Sequence, residues 1–306
     1  MLTIKIIMMQ KNEGPALARW LAHYGAIFGI PNLIILDNGS TDPLTLSLLN
    51  EAEYRGAVIE RNLTNPEDFQ HKGRHLTALI HALDHDEEYD FAIPVDCDEI
   101  LGIFTPEGLS IEKNTILAEF AALKSHRGAF AISPSLFNVP EKKGWYSPNR
   151  HFPKGFVPSR CGAVIDDGHH FPSSMEIAGQ LPTKFTYFHH HNRPYHEMQN
   201  YSRAKLSLEI EDVNDIEKLR ERERLALPGG HLVRSLLLTE KEYGAIYEKE
   251  VQLFFEGNSV ILRTPKGVRL WDANLYLKRH PDTHHYGPGP LCHYLMHGFL
   301  EGRELP

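Results

Sequence analysis

Apolar and polar residues alternate on a coarse scale over the N-terminal third of the chain. Four short runs are rich in β-branched and other apolar residues, as buried strands are, and they span 2–9, 32–36, 57–60 and 91–95. Three longer segments repeat apolar residues at helical spacing, and they span 14–28, 43–55 and 69–85. Because strands and helices alternate, the pattern predicts an α/β fold with a mostly parallel, Rossmann-like sheet flanked by helices.

Polar side chains gather where three of these strands end. Residues 10–13 follow the first strand, Asp37 follows the second, and Asp96 and Asp98 follow the fourth. In open parallel sheets, ligands bind outside the carboxyl ends of the strands. The coincidence of position therefore predicts one ligand site at this edge of the sheet.

The two acids after the fourth strand suggest a cation site. Alternation along an extended backbone places Asp96 and Asp98 on the same side and Cys97 on the other. Carboxylate oxygens suit Mg²⁺ or Mn²⁺ carrying a diphosphate, because these ions keep open positions for phosphate oxygens. The alternative interpretation is a solvated acidic turn at the end of a buried strand.

The pattern is less regular beyond Leu101. We expect a helix at 111–125, strands at 129–133 and 185–188, and a polar helix at 195–225. Residues 134–158 are rich in proline and glycine, which predicts irregular lids or binding loops. Pro228, Gly229 and Gly230 predict a linker between a first domain, 1–227, and a mainly helical C-terminal extension, 228–306, with a strand pair at 260–263 and 268–271.

Composition narrows the classes of partner. The 306 residues are 42% hydrophobic with a formal charge of −8, and the basic residues are scattered, so nucleic acid is not expected as a partner. Three distant cysteines, Cys97, Cys161 and Cys292, suggest neither a disulfide framework nor a zinc site, which fits a cytoplasmic protein. The N-terminal run is only as long as a strand, and we expect neither a signal peptide nor a transmembrane segment.

Several motifs resemble those of a known family. Residues 11–13 (Lys-Asn-Glu), Trp20, His23-Tyr24, 37–42 (DNGSTD) and 96–99 (DCDE) are similar, in order and spacing, to the family 2-like glycosyltransferases of the GT-A fold, in the branch written "KNE…W…HY…DNxSxD…DxDE". The resemblance implies transfer of a sugar from a UDP- or GDP-sugar to a hydroxyl group of a glycan or other acceptor, with inversion. It also implies Mn²⁺ or Mg²⁺ at the DxD motif.

The resemblance assigns roles to individual residues of the first half. Asp37 looks like the nucleoside contact, and Asp96 and Asp98 look like the ribose and metal-diphosphate contacts. Asn12 and Glu13 would shape the floor of the nucleotide pocket. Lys72 and Arg74, near the start of a predicted helix, are further candidates for the diphosphate, although a plain basic first turn explains them equally well.

Later segments match the same branch more loosely. Residues 167–170 and 187–193, with Lys205 downstream, are similar to its "GxH" and "HYxxRS…K" segments, which makes Arg193 a candidate donor-phosphate contact. Asn192-Arg193-Pro194 departs from the usual Arg-Ser ending. The tail from Leu275 to Arg303 resembles a short module, "YLxxNPDV…PLxHYLxHGxxEGR", found in bacterial surface-polysaccharide proteins, and points to bacterial surface glycan assembly.

Glycosyl transfer also needs a general base close to the acceptor hydroxyl. Carboxylates and histidines of one region are the candidates, and Asp167 and Glu176 are the residues we select, while the spacing itself does not choose among Asp166, Asp167, His169, His170 and Glu176. His169 and His170 are alternatively metal ligands beside Asp96 and Asp98, or histidines satisfied by neighbours. Among His189, His190 and His191, alternation allows two to face one site.

A second class of function stays open. A catalytically inert relative would bind a nucleotide or a glycan as a partner module, whereas the intact pair Asp96 and Asp98 favours an enzyme. The sequence contains no GxSxG, P-loop or GxGxxG motif, so hydrolase and dinucleotide interpretations lack their signatures. We expect the tail from Trp271 onward to pack on the main domain or another protein without contributing catalytic groups.

Overall fold

Four parallel strands form the centre of the fold. The computed structural model describes residues 2–207, 210–225, 229–257 and 259–305. Strand β1 pairs in parallel with β2 and with β4, and β2 pairs with β3, which gives the order β3-β2-β1-β4. These strands, β1 to β4, are Ile4–Gln10, Leu33–Asp37, Val58–Glu60 and Phe91–Pro94. The parallel, Rossmann-like arrangement predicted from the alternation is confirmed.

Helices cover both faces of this sheet. Even-numbered residues of β1 such as Ile6 pack with Trp20 and Tyr24 of α1, whereas odd-numbered ones such as Ile7 pack with Leu76 of α4. Both faces of each strand are therefore buried, which explains why the strands appear in the sequence as continuous apolar runs. The helices α1 to α4 are Gly14–Phe28, Pro43–Tyr54, Pro66–Gln70 and Lys72–Asp86.

The rest of the chain contributes eleven strands and seven further α-helices within the described residues. Strands β5 to β15 are Glu99–Phe104, Leu109–Ser110, Ala129–Ile132, Ser135–Asn138, Trp145–Asn149, Lys154–Pro158, Gln180–Pro182, Phe185–His189, Gln252–Glu256, Ser259–Thr264 and Gly267–Leu270. Helices α5 to α11 are Lys113–Leu123, Tyr195–Leu206, Ile216–Arg224, Gly230–Leu237, Glu240–Glu248, Ala273–Arg279 and Pro290–His293. Short helical turns span Ile30–Asn32, Pro281–His285 and Tyr294–Gly298.

These strands complete two sheets. The first has the order β11-β7-β10-β4-β1-β2-β3, in which β10 runs antiparallel to β4. The second has the order β15-β14-β13-β9-β8-β12-β5-β6. Within it β12 is antiparallel to β5, and His189 lies opposite Glu99. This register carries a histidine to the acidic residues that follow β4.

Two predictions of secondary structure need correction. Residues 134–158, expected to be irregular, contain β8, β9 and β10, because pairing with neighbouring strands outweighs their proline and glycine content. The helix expected over 195–225 is divided into α6 and α7. The division arises because the Asp215 carboxylate caps a new helix, accepting bonds from the backbone N–H groups of Glu217 and Lys218.

The C-terminal region joins the second sheet. The predicted boundary between residues 227 and 228 lies outside the described residues. The predicted strand pair is present as β14 and β15, and β13 links it to β9. Leu291 and Leu295 of the tail pack in one core cluster with Phe104, Leu136 and Phe188. The tail therefore packs on the main body, as expected from its few apolar groups.

No helix among the residues that the structure describes combines the length and the apolar character needed to cross a membrane.

Leu295→Ala tests whether the tail belongs to the folded core. Leu295 is fully buried, so we expect the substitution to lower the free energy of unfolding by about 2–5 kcal/mol in urea denaturation. Leu300 is 64% exposed, and Leu300→Ala should change that free energy by no more than about 0.5 kcal/mol. Equal stability of Leu295→Ala and the native protein would contradict the packing.

Candidate active site at the carboxyl edge of the sheet

The strand order defines the position of a cleft. From β1 the chain continues to β2 and β3 on one side of the sheet, whereas β4 lies on the other side of β1. The direction in which successive strands are added therefore reverses between β1 and β4. Ligands of open α/β sheets bind in the crevice at this point, outside the carboxyl ends of the strands. The loops that follow β1, β2 and β4 carry the residues singled out from the sequence. The structure therefore brings Glu13, Asp37, Asp96 and Asp98 to one edge.

The loop after β2 is held by a buried carboxylate. Asp37 Oδ1 accepts a hydrogen bond from Gln10 Nε2 at 2.6 Å and one from Ser40 Oγ at 2.5 Å. Its other oxygen accepts the Ser40 backbone N–H at 3.1 Å. Because Asp37 is only 3% exposed, its carboxylate sets the shape of this loop as well as its charge.

Asn12 ties the first loop to the second. Its side-chain oxygen accepts the backbone N–H groups of Thr41 at 2.7 Å and Asp42 at 2.9 Å. Its own backbone N–H donates to Ser40 Oγ at 2.9 Å. Asn12 has a φ of +57°, a left-handed conformation that asparagine tolerates better than most residues. The predicted pocket floor is thus a cross-linked pair of loops.

A buried network of charges follows β4. Asp96 forms ion pairs with Lys72 and with Lys154, whose Nζ lies 2.9 Å from Asp96 Oδ2. The same Lys154 Nζ lies 3.0 Å from Glu99 Oε1. Glu99 is fully buried, and its Oε2 accepts the Asp96 backbone N–H at 2.9 Å. The turn that carries the two acids is therefore fixed by Glu99 and Lys154.

The network controls the charge of Asp96. Burial alone raises the pKa of this carboxyl, but the positive charges of Lys154 and Lys72 outweigh it and hold the pKa well below its usual range. Burial by itself lowers the pKa of Lys154, but the charges of Asp96 and Glu99 outweigh burial and raise the pKa above its ordinary value. Asp96 is therefore ionised and already paired with two cations of the protein.

Asp98 faces a histidine of β12 instead. His189 Nε2 lies 3.3 Å from Asp98 Oδ1, and His189 Nδ1 lies 3.6 Å from Glu99 Oε1. Burial raises the pKa of Asp98, but the hydrogen bond and charge of His189 outweigh it, and the net pKa is lowered. For His189 burial lowers the pKa, but Glu99 and Asp98 raise it above its ordinary value. Asp98 thus orients the histidine on one side, while Glu99 on the other side acts on it through charge, because its 3.6 Å distance is beyond a hydrogen bond.

Asp98, His189 and His191 form a group that fits a divalent cation. One ligand atom from each residue lies within 4.8 Å of the others, and no second such group of histidine, cysteine or acidic residues occurs over 2–207, 210–225, 229–257 and 259–305. One carboxylate oxygen and two imidazole nitrogens are donors that Mn²⁺ accepts. Glu99 lies behind His189, with its Oε1 3.6 Å from the second ring nitrogen, so it adds negative charge next to the group without a hydrogen bond to it.

The histidines selected from the sequence, His169 and His170, are not part of this group. His169 is fully buried, with a φ of +55°, and neither of its ring nitrogens has a hydrogen-bond partner in the described protein. Burial and the charge of Lys72 hold its pKa well below the usual range, so the ring is neutral. His170 Nδ1 donates to the Pro153 carbonyl at 2.8 Å. Alternation along 189–191 was the signal that pointed to the other pair.

Cationic side chains face the acids across the cleft. Arg193 lies over the ring of Tyr201, 4.3 Å from its centroid, and Lys205 lies 5.3 Å from the same centroid. Lys72 and Lys205 both approach the ring of Phe69, at 5.4 and 5.7 Å. These contacts bring α6 close to the start of α4. Arg193, Lys72 and Lys205 thus concentrate positive charge beside the acids.

Glu13 adds a carboxylate to this group of charged side chains. Its side chain is open to solvent inside the cleft, yet surrounding protein desolvates it in part. This desolvation and the negative charge of Asp98 raise its pKa, and Arg193 and Lys205 oppose the effect. Glu13 therefore lies near both the acidic residues and the arginine and lysine side chains of the site. Its predicted place is the floor of the nucleotide pocket.

Asn192 ties the chain after β12 to the end of β8. It exchanges hydrogen bonds with Asn138, whose Oδ1 accepts the Asn192 backbone N–H at 2.8 Å and whose Nδ2 donates to the Asn192 carbonyl at 2.7 Å. The pair joins the ends of β8 and β12. Arg193 follows directly, and Tyr243 Oη donates to its carbonyl at 2.9 Å. These bonds fix the backbone that carries Arg193.

The remaining predicted residues are not all at the cleft. Asp167 Oδ1 accepts the Gly73 backbone N–H at 2.9 Å, at the start of α4 near Lys72. Arg74 is exposed and lies 3.5 Å from Asp68. Glu176 pairs with Arg127 at 2.7 Å.

The position of Glu176 removes it from the base candidates near the site. Arg127 also donates to the Arg160 carbonyl, and Ser159 bonds to Asp90 just before β4. These residues lie at the amino edge of the sheet, opposite to the cleft. The structure therefore does not bring Glu176 to Asp96 and Asp98.

Comparison with known proteins gives only distant likenesses. No family model matches the chain, and no curated protein matches it. Among solved structures, S. aureus TarS is 16% identical over 47% of this chain and 22% of that chain, with a TM-score of 0.30. A structure of TarS residues 1–349 is 11% identical over 88% of this chain and 98% of that chain, with a TM-score of 0.40.

A third solved structure is mannose-1-phosphate geranyltransferase from Thermus thermophilus. It is 12% identical over 80% of this chain and 68% of that chain, with a TM-score of 0.29. All three TM-scores lie below 0.5, so these likenesses carry no information about activity.

Lys154→Met tests the buried charge network. The Lys154 side chain is 6% exposed, and its loss leaves Asp96 and Glu99 undercompensated, so we expect the free energy of unfolding to fall by about 3–5 kcal/mol. The half-exposed pair of Lys184 with Glu119 supplies a control, and Lys184→Met should cost no more than about 1 kcal/mol.

The cost of Lys154→Met should also depend on pH. Because the folded-state pKa of Asp96 is depressed, the ion pair stabilises fully above the ordinary aspartate range and is lost as pH falls through the depressed value. Urea denaturation should therefore give a smaller difference from native protein in strong acid than at neutral pH. A variant as stable as native protein at neutral pH would refute the network's role.

Proposed function

We propose that this chain is a metal-dependent glycosyltransferase. It moves a sugar from a nucleotide diphosphate sugar, a UDP- or GDP-sugar, to a hydroxyl group of a glycan or related acceptor in bacterial surface glycan assembly. The observation that carries the proposal is the gathering of Asp98, His189 and His191 at the cleft between β1 and β4. This is the position where open α/β sheets bind nucleotides.

The loops after β1, β2 and β3 are suited to a nucleoside. Asn38 Nδ2 donates to the carbonyls of Leu63 at 2.6 Å and Asn65 at 2.9 Å, which links the second loop to the third. Asp37 and Asn12 fix the other two loops. A pocket whose walls are set before binding loses little conformational entropy when the nucleotide enters. These residues would orient the base and the ribose.

Charge in the cleft is suited to a diphosphate. The proposed cation site comprises Asp98, His189 and His191, and the cation would supply Lewis-acid stabilisation of the departing diphosphate. Arg193 and Lys205 on the opposite wall would bind phosphate oxygens directly. Asp96 is neutralised by Lys72 and Lys154, so its expected contact is with the ribose rather than with the cation.

The acceptor hydroxyl needs a base on the other side of the cation. Asp167 is exposed near the start of α4 and is our candidate for this role. Glu176 is not retained, since its partner Arg127 lies at the amino edge of the sheet. The raised pKa of Glu13 eases protonation of its carboxyl, which would lessen its repulsion of the donor diphosphate and favours a hydrogen-bonding role at the pocket floor.

Asp98→Asn tests the cation site. We expect it to weaken Mn²⁺ binding in calorimetric titration by roughly a hundredfold and to abolish metal-dependent hydrolysis of the donor, because one of three ligands becomes neutral. His189→Ala should act in the same direction. His85→Ala, which removes an 88% exposed histidine of α4, serves as control and should bind Mn²⁺ normally.

Mn²⁺ affinity should also rise with pH. Protons compete with the cation for His189, and its raised pKa extends that competition above the ordinary histidine range. Full Mn²⁺-dependent activity of Asp98→Asn would contradict the assignment of the cation site to Asp98, His189 and His191.

Asp37→Asn tests the nucleoside pocket. The substitution removes the charge that holds Gln10 and Ser40, so affinity for UDP or GDP should fall roughly tenfold, about 1.4 kcal/mol, without altering Mn²⁺ binding. Asp86→Asn, at a 70% exposed position, is the matched control. Calorimetry with both nucleotides measures the effect, and unchanged affinity of Asp37→Asn would exclude this role.

A further inference from the structure

Three aromatic side chains lie in a row beside the candidate active site. The ring centroid of Phe152 is 5.6 Å from that of His170, which in turn is 6.2 Å from that of Phe171. Phe152 is 57% exposed and Phe171 is 64% exposed. We name Phe152, His170 and Phe171 the aromatic shelf. Two exposed phenyl rings that flank one imidazole present a mixed apolar and polar surface, which is typical of the lining of small-ligand sites.

The aromatic shelf is held rigidly by the backbone beneath it. The Asp166 carboxylate accepts the backbone N–H groups of Gly168 at 3.2 Å, His170 at 3.0 Å and Phe171 at 2.7 Å. The His170 ring is fixed by its bond to the Pro153 carbonyl at 2.8 Å, one residue after Phe152. The His170 ring and the backbone that carries Phe171 are thus positioned before any ligand arrives, which lowers the entropic cost of binding.

The aromatic shelf lies across β4 from the nucleotide loops. Lys154, two residues after Phe152, begins β10 and reaches Asp96 at 2.9 Å. The Gly155 backbone N–H donates to the His169 carbonyl at 2.9 Å, which sets the segment 169–171 beside the start of β10. Since β10 follows β4 in the sheet on the side away from β1, the shelf borders the cleft opposite the proposed nucleotide pocket.

We propose that the aromatic shelf binds the acceptor saccharide, with the C–H face of a pyranose ring stacked on Phe152 and Phe171. This assignment rests on the proposed function, because it takes the side of the cleft away from the donor as the acceptor side. A sugar ring presents polarised C–H groups to the electron-rich face of an aromatic ring, while its hydroxyls need polar partners. His170 and the half-exposed Asp167 supply such partners next to the rings.

The surroundings favour a saccharide over a lipid or protein surface. The two phenyl rings are separated by an imidazole and lie next to carboxylates, so they do not form one continuous apolar area. Other exposed apolar side chains of this region, Met175 and Ile177, lie near Cys161 and Gly128, toward the opposite edge of the sheet. A small, mixed surface at the mouth of a cleft matches a sugar unit in size and chemistry.

Saturation-transfer difference NMR with cellotetraose, maltotetraose and chitotetraose tests the proposal. Stacking on C–H faces tolerates different linkages, so we expect the native protein to bind at least one of these probes. Phe152→Ala/Phe171→Ala should weaken that binding by roughly tenfold or more, about 1.4 kcal/mol. Phe152→Trp/Phe171→Trp should retain it. Tyr54→Ala, which removes an 89% exposed ring from α2, is the matched control and should bind as native protein does.

A parallel measurement separates this proposal from the proposed function. UDP and GDP binding with Mn²⁺ should be unchanged in Phe152→Ala/Phe171→Ala. Saccharide binding that depends on the two rings, without any nucleotide binding, supports a glycan-binding site and defeats the proposed glycosyltransferase. Nucleotide binding without saccharide binding is compatible with the proposed glycosyltransferase and overturns the proposed role of the aromatic shelf in saccharide binding.

Two further outcomes would overturn the assignment. The first is saccharide binding that the double alanine variant retains in full. The second is flotation of native protein with phosphatidylglycerol vesicles, lost in that variant, when no probe saccharide binds. The latter result would identify the rings as a membrane contact.

Discussion

The candidate site depends on the neutralisation of buried carboxylates at the end of β4. Asp96 and Glu99 are drawn together by the turn between β4 and β5, and a pair of buried carboxylates without counter-charge would cost several kcal/mol. Lys154 lies between them, 2.9 Å from Asp96 and 3.0 Å from Glu99. Because Lys154 begins β10, the antiparallel pairing of β10 with β4 is what delivers the compensating charge.

The same network gives the two acids that follow β4 different partners. Asp96 pairs with Lys72 and Lys154, whereas Asp98 faces His189 of β12. The register of β12 against β5 sets His189 opposite Glu99, and Glu99 approaches its Nδ1. A strand from late in the sequence thus completes a group that begins at Asp98. The metal site we propose is a consequence of sheet pairing rather than of any local motif.

The first hundred residues were predictable because the physics there is local. Strands buried on both faces appear as continuous apolar runs, and the helices between them repeat apolar residues at helical spacing. The acids at the strand exits mark the edge where open sheets bind ligands. The strands of 134–158 were missed since they carry prolines and glycines, and their pairing partners lie far away in the chain. Asp215 is a local signal that divides the predicted helix, and it was overlooked.

The candidate site residues show the same difference between local signals and signals that depend on tertiary structure. Asn12, Asp37, Asp96 and Asp98 lie at the carboxyl edge of the sheet, because a strand exit fixes their location. The histidine assignments depended on tertiary structure: His169 is buried behind Asp96, while His189 and His191 lie beside Asp98. Glu176 was chosen for its chemistry alone, and its ion pair with Arg127 holds it at the other edge.

Anomalous diffraction at the manganese edge tests the central claim most directly. Crystals grown with MnCl₂ and UDP or GDP should give an anomalous peak in coordination contact with Asp98, His189 and His191, next to density for the diphosphate. A peak beside Asp96 and His169 instead, or nucleotide bound with no manganese at Asp98, would contradict the account.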